Sequence, residues 1–302
     1  MKSIATLFCI LLTIQLSYCN LYGLWAVGDT AVFGEISTID GSQTMHLEFP
    51  SYTPSNIFGS AENNMTQVFT FILEYPGNSL YLVTVNVAKN KVIYFTPIPS
   101  GQYPLGLKYD SDVNSLKATI SAGNSSWLVT ELDPASASYD VYLQVDGTYL
   151  SAGISTFNHT YFVAFQTTNI FLYSFDTRSG DLTQTLALEL PTDTIQGPLD
   201  MLYIPDLDIL VGTFMVQDQS NNVGQDFGII DVQSGVVKML GIYQASQQAS
   251  IVSQAAHQYF IYAVVNINDS LELVTVDLNQ QSQSSQVSES VLFSSMGYFS
   301  GI

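Results

Sequence analysis

Along most of the chain, apolar and polar positions alternate in short runs rich in Val, Ile, Tyr, Phe and Thr, separated by Gly, Asn, Asp, Ser and Pro. Short β-branched and aromatic runs between turn formers read as strands. The clearest are SLYLVTVNV (79–87), WLVTELD (127–133), IFLYSFD (170–176), FGIID (227–231) and LELVTVD (271–277). No long stretch carries the apolar period of a helix.

These five runs, with AVFGEISTID (31–40), share one design. Each ends on an acidic or amide residue: Asp40, Asn86, Asp133, Asp176, Asp231 or Asp277. The residue just before is apolar (Ile39, Val85, Leu132, Phe175, Ile230, Val276), and so is the residue four before (Ile36, Leu82, Val129, Leu172, Phe227, Leu273). An Asp or Asn side chain at a strand end can bond the backbone of the following turn. Ser179-Gly180 and Ser234-Gly235 supply turn residues directly afterwards. Successive anchors lie 46, 47, 43, 55 and 46 residues apart. A repeat of about 40 to 50 residues with four strands per unit is the signature of a β-propeller.

The fold expected is therefore all-β, a six-bladed propeller over residues 20–302; seven blades would result if two units are merged in this count. A pair of β-sandwich domains is the rival. The third unit shows four strands, at 103–109, 115–122, 127–133 and 139–145. The first unit starts abruptly with LYGLWAV (21–27), which reads as a second strand, and the chain ends with SMGYFSGI (295–302), which reads as an inner strand. The C-terminal segment is thus expected to complete the first blade, hiding sheet edges that otherwise invite aggregation.

The phrases FDTRSGDLTQTL (175–186) and IDVQSGVVKML (230–240) resemble the "apolar strand–D–x–x–S–G–x–apolar" element of quinoprotein-like propeller repeats. The resemblance covers these two units well and the others loosely. It implies a fold and no particular activity, because one propeller fold hosts many functions.

Residues 1–19 read as a secretory signal peptide: Lys2, an apolar run from Ile4 to Leu16, then SYCN, with Ser17 and Cys19 as the small residues before the cut. Cleavage there removes both cysteines, leaving no disulfide, which a chain of this length can do without. The expected location is extracellular, the alternative being the lumen of a secretory or lysosomal compartment. With 7 Lys plus Arg against 26 Asp plus Glu, the net charge is −19. Nucleic acid and anionic membrane surfaces need clustered cations and are excluded as partners. No later segment is long and apolar enough to insert in a membrane. The 47% hydrophobic content argues against disorder, with only 280–290 reading as low complexity. A monomer is expected.

Motifs for chemistry are sparse. A single arginine, Arg178, is too few for the arginine cluster of sialidase-like propellers. G-x-S-x-G and both glycine-rich phosphate loops are absent. His46, His159 and His257 fall in three different units without ligand spacing and read as surface or loop residues. Asp110, Asp112 and Asn114 begin like a calcium loop, but Ser115 and Ser121 stand where Gly and Glu are required, so this is a turn.

The long fifth unit is the best positive hint. Its extra residues are expected around VQDQSNNVGQDF (216–227), as a loop between second and third strands on the face where propellers often bind ligands. Asp218, Asn221, Asn222 and Asp226 are its candidate ligand-binding residues. Four glycosylation sequons begin at Asn64, Asn124, Asn158 and Asn268, all between expected strands. The function expected is a secreted binding protein that presents one propeller face to a protein or carbohydrate. The alternative is a divalent-cation-dependent lactonase or hydrolase acting in the central channel, with Ca2+ as the cation and Asp200 as the clearest inner-strand carboxylate. No catalytic residue and no other cofactor is expected.

Overall fold

The computed structural model of the chain describes residues 19–38, 41–55, 59–267, 270–280, 282–287 and 293–300. Residues 1–18 of the signal segment, Ile39, Asp40 and the sequon asparagine Asn268 lie outside these residues.

The strands form six antiparallel sheets. Five follow one another along the chain. Blade 2 has an inner strand in two pieces, Thr53–Pro54 and Ser60–Asn63, both paired to Val68–Tyr75, then Ser79–Asn86 and Lys91–Pro97. Blade 3 is Pro104–Asp110, Ser115–Gly123, Ser126–Leu132 and Tyr139–Asp146. Blade 4 is Thr148–Ser155, Thr160–Gln166, Ile170–Asp176 and Leu182–Ala187. Blade 5 again has a divided inner strand, Thr194–Gln196 and Met201–Ile204, against Ile209–Gln217, then Val223–Ile230 and Val237–Met239. Blade 6 is Ser250–His257, Phe260–Ile267, Ser270–Asp277 and Ser282–Val287. Blade 1 combines both ends: Phe293–Ser300 pairs antiparallel with Cys19–Val27, followed by Thr30–Ile36 and Gln43–Pro50.

Each seam between blades holds its own apolar cluster, which makes the six sheets a closed ring. Phe33 and Phe49 meet Phe69 and Phe71 between blades 1 and 2. Ile72 and Leu82 meet Leu107 and Leu116 between blades 2 and 3, and Val129 meets Tyr161 and Phe165 between blades 3 and 4. Leu172 meets Leu210 and Phe214 between blades 4 and 5, and Phe227 meets Ile261 and Val276 between blades 5 and 6. The closing seam packs Leu21, Trp25 and Ile36 of blade 1 on Ala255, Val264 and Leu273 of blade 6. Strands sandwiched by blades on both sides read as nearly continuous apolar runs, as blade 2's VFTFILEY does.

The repeat's anchors do what their spacing implies. Val85, Leu132, Phe175, Ile230 and Val276, and the residues three places earlier in each run, are buried. The polar anchors tie down the turn to the outer strand. Asn86 Oδ1 accepts from Lys89 N (2.9 Å), Asp176 Oδ1 from Arg178 N (2.8 Å) and Ser179 N (2.9 Å), Asp231 Oδ1 from Gln233 N (2.9 Å), and Asp277 Oδ1 from Asn279 N (2.9 Å). Bonds from Ser136 and the Ala135 amide hold the Asp133 carboxyl below its ordinary range.

The fifth unit departs from expectation. Its turn between second and third strands is only 218–222, and the extra length is shared between a hairpin with long strands and a divided inner strand preceded by an extended link. Asp226 is not in a loop: it sits within Val223–Ile230, opposite Phe214.

Candidate functional site

The four residues singled out in the fifth unit do not converge. Asp218 closes its own turn, accepting from Ser220 N (2.8 Å), Asn222 N (2.9 Å) and Asn222 Nδ2 (2.8 Å). Asn221 takes the left-handed turn position at φ 62°. Asp226 is 2% exposed and braces the link to blade 6, accepting from the backbone N–H groups of Gly241 (2.8 Å), Ile242 (3.0 Å) and Tyr243 (3.1 Å). Burial raises its carboxyl even against these bonds. A carboxylate so engaged is a structural brace.

Asp110, expected in a turn, and His159, expected as a surface or loop residue, meet across the seam of blades 3 and 4. Asp110 is fully buried; its Oδ2 accepts from Thr177 Oγ1 and lies 3.0 Å from His159 Nδ1. Arg178 donates to the ring's other nitrogen, Nε2. Beside them Lys117, also fully buried, donates to Thr177 O (2.8 Å), Glu131 Oε2 (3.0 Å) and Tyr142 OH (2.5 Å). The pair is lopsided, with the Glu131 side chain 44% exposed. Burial therefore prevails at Lys117 and lowers its pKa, whereas at Glu131 bonds from Tyr142 and Lys117 outweigh burial and lower the carboxyl's.

The centre of the ring is a cavity of about 510 Å³ lined by described residues of five inner strands. Gly106 sets its width: at φ 61° it brings its backbone so close to blade 4 that a Cβ would lie 2.3 Å from Tyr149 Oη and 2.7 Å from Ala152 Cβ. Asp200 reaches the cavity, as the lactonase alternative requires, and Glu62 joins it from Ser60–Asn63. Their neighbour is an ammonium: Lys108 Nζ lies 3.9 Å from Asp200 Oδ1. Burial pushes Glu62 up to about 7, with Lys108 opposing and Asp200 adding to the rise. Among the described residues no group of three or more His, Cys, Asp or Glu is arranged to hold a metal ion. Glu62 escaped the sequence reading because SAEN is too short to stand out as a strand; its alternation of small buried and polar residues is the faint signal that was there.

At the outer end of the seam between blades 1 and 2, aromatic packing continues from the core to the surface. Phe33 stacks on Phe71 (5.9 Å between centroids), Phe71 meets Phe49 (5.8 Å), and Phe49 meets Phe95 (6.2 Å). Phe95 then contacts Tyr52 (5.3 Å) and Tyr81 (5.2 Å), and Tyr52 contacts Tyr75 (5.1 Å). Phe95 is 37% and Tyr75 41% exposed, so the ladder ends as an aromatic surface patch. The residues come from the link into blade 2, its second, third and outer strands, and no local motif in the sequence joins them.

Of the sequon asparagines, Asn64, Asn124 and Asn158 are exposed on turns. Asn158 has its amide engaged, with Nδ2 donating to Asp208 Oδ1 (3.2 Å) and Tyr203 Oη (3.3 Å). Among the described residues no helix is long and apolar enough to cross a membrane.

No protein-family model matches the sequence, and no curated protein matches it. Solved structures do. TolB from Acinetobacter baumannii superposes with TM-score 0.64 at 12% identity, over 93% of this chain and 66% of its own, so this chain spans just under two thirds of it. A chain of the nidogen/laminin complex gives TM-score 0.62 at 9% identity, over 93% of this chain and 98% of its own. Hydrazine synthase from Kuenenia stuttgartiensis gives 0.57 at 14% identity, over 83% of this chain and 71% of its own. At such identities the likeness is one of fold: the chain is a six-bladed β-propeller, with TolB and the nidogen/laminin structure among its neighbours.

Proposed function

We propose that this propeller is a secreted interaction module whose aromatic patch on blades 1 and 2 docks a protein with a basic surface. The observation that carries the reading is the cluster in which exposed Tyr75 and Phe95 pack ring on ring with half-buried Tyr52 and Tyr81, held by the core beneath. Rigid aromatic anchors are the residues that contribute most at protein interfaces, because they bury large area at small entropic cost. The net charge of −19 selects a cationic partner, and aromatic faces attract Arg and Lys side chains in addition. One structural neighbour of the chain comes from a protein–protein complex.

The test places a photo-crosslinking amino acid at position 75 of the full chain and, as control, at Ile195, which is 49% exposed in blade 5. Crosslinking at 75 to a protein should be saturable and displaced by unlabelled protein, while the Tyr75→Ser/Phe95→Ser variant should compete at least about tenfold less well. Equal competition by that variant, capture of a glycan, or capture only from position 195 would overturn the reading.

Export through a eukaryotic secretory pathway supplies a second check. Mass spectrometry of the secreted protein should find glycans on at least two of Asn64, Asn124 and Asn158, all of which are exposed on turns. Unmodified Asn64 and Asn124 would contradict the secreted-glycoprotein assignment.

A further inference from the structure

We propose that His159 is a pH-operated latch between blades 3 and 4: unprotonated, its ring holds Arg178, and protonated, it exchanges Arg178 for Asp112 and frees the chain's single arginine on the propeller face. The latch is independent of the aromatic patch on blades 1 and 2 and goes beyond the docking role.

Three turns build it. Residues 110–115 and 155–160 span the turns between the first two strands of blades 3 and 4, and 176–182 spans the turn between the last two strands of blade 4. His159 takes a left-handed position in its turn, at φ 49°, and its side chain is only 13% exposed. The turns are tied together around it: Thr177 N donates to His159 O (2.8 Å), and Thr177 Oγ1 donates to Asp110 Oδ2. The ring is thereby held between a carboxylate of blade 3 and a guanidinium of blade 4.

Donors and acceptors define the state of that ring. A guanidinium only donates, so Nε2, which receives Arg178, presents its lone pair. The one proton of the neutral ring is then on Nδ1, which lies 3.0 Å from Asp110 Oδ2 and donates to it. Asp110 is fully buried and also accepts from Asp112 N (3.1 Å), so this partner stays in place. A second proton has one place to go, Nε2. There it sets a donor against a donor and a positive ring against a guanidinium, and the contact with Arg178 is lost. The replacement acceptor is at hand, because Asp112 Oδ2 lies 3.8 Å from Nε2 on a side chain 54% exposed and free to close the gap. Arg178 is exposed and anchored through its backbone N–H on Asp176 Oδ1 (2.8 Å), so its side chain leaves without undoing the turn.

The other charged and titratable groups near the ring are already engaged. Lys117 donates to Thr177 O and is matched by Glu131 and the Tyr142 hydroxyl. Asp176 accepts from the backbone of its own turn, and Asp208 of blade 5 accepts from the Asn158 amide and the Tyr203 hydroxyl. Histidine is the side chain whose ordinary charge change falls between pH 5 and 8, and such a change acts as a switch when the two states prefer different partners.

The experiment is NMR of the full chain labelled with 15N-histidine and 15N-arginine, in steps from pH 8 to pH 5. Three histidine ring signals are expected, and His46→Gln and His257→Gln, in blades 1 and 6, assign His159 by elimination, so that no residue of the latch is altered. At pH 8 the His159 ring should carry its proton on Nδ1, and the single arginine should show a guanidinium held against rotation. On acidification Nε2 should gain a proton, and the guanidinium signal should move to that of a free side chain in the same pH step. Asp112→Asn, a change at an exposed side chain, should make that step need more acid, because the charged ring loses an opposite charge. A ring protonated on Nε2 alone at pH 8, a ring still neutral at pH 5, an arginine signal that ignores the histidine step, or an unaltered step in Asp112→Asn would overturn the latch. If Asp112→Asn fails to fold, the coupled histidine and arginine signals of the unaltered chain decide it.

Discussion

Deleting residues 293–302 is expected to abolish cooperative melting, not merely to trim a terminus. Phe293–Ser300 is the innermost strand of blade 1, paired with Cys19–Val27 from Cys19↔Ser300 to Trp25↔Phe293. Its removal leaves a bare edge on a strand whose Leu21, Leu24 and Trp25 are at most 1% exposed, and it opens the seam to blade 6. Exposing even two or three such side chains costs about 2 kcal/mol each, on top of the lost ladder. That total is comparable to the roughly 5–15 kcal/mol by which domains are stable. Circular dichroism melting and size-exclusion chromatography of the deletion check this. A sharp melt at the wild-type temperature in a monomer would show that the ring does not depend on its closure.

The second large effect is expected at Lys117. Replacing it by Ala removes the donor to Thr177 O and leaves a gap where the buried stem ran between blades 3 and 4. Because Glu131 is 44% exposed, it can recover water when its partner goes, so the full penalty of stranding a buried charge does not apply. An unpaired buried carbonyl plus the void gives about 2–4 kcal/mol. For a domain of this size that corresponds to a fall of about 3–7 °C in Tm. Lys117→Met, which refills most of the volume but supplies no donor, should lose less. Thermal melts of both variants decide it, and a Lys117→Ala protein melting with wild type would mean the buried ammonium contributes nothing net.

Much of this architecture is legible in the sequence because it is local. A side chain that alternates toward a neighbouring blade must be apolar, and a hairpin that leaves the third strand needs an Asp or Asn to bond its amides. These two requirements recur with the blade, so the positions of Val85, Leu132, Phe175, Ile230 and Val276 report blade number and phase without any knowledge of the ring. The closing strand is legible for the same reason: a first unit lacking its inner strand and a last strand lacking a blade fit only each other. Asp218 and Asn222 also behave locally, as a turn.

What only the tertiary structure decided is everything that depends on which residues distant in sequence share a seam or the axis. Asp226 has the composition of a ligand, yet its place in a strand between two blades directs its carboxylate to the Gly241–Tyr243 backbone. His159 and Asp110 are separated by 49 residues and meet because turns of adjacent blades lie side by side. Glu62, Lys108, Asp200 and Gln254 belong to four blades and line one cavity only when the ring closes around them. The sequence by itself determined the repeat, its turns and its closure, since each follows from contacts within a blade or between the chain's two ends. The ring determined the channel, the aromatic patch and the buried charges, because these arise from juxtaposing blades, and no pattern within one blade encodes its neighbour's side chains.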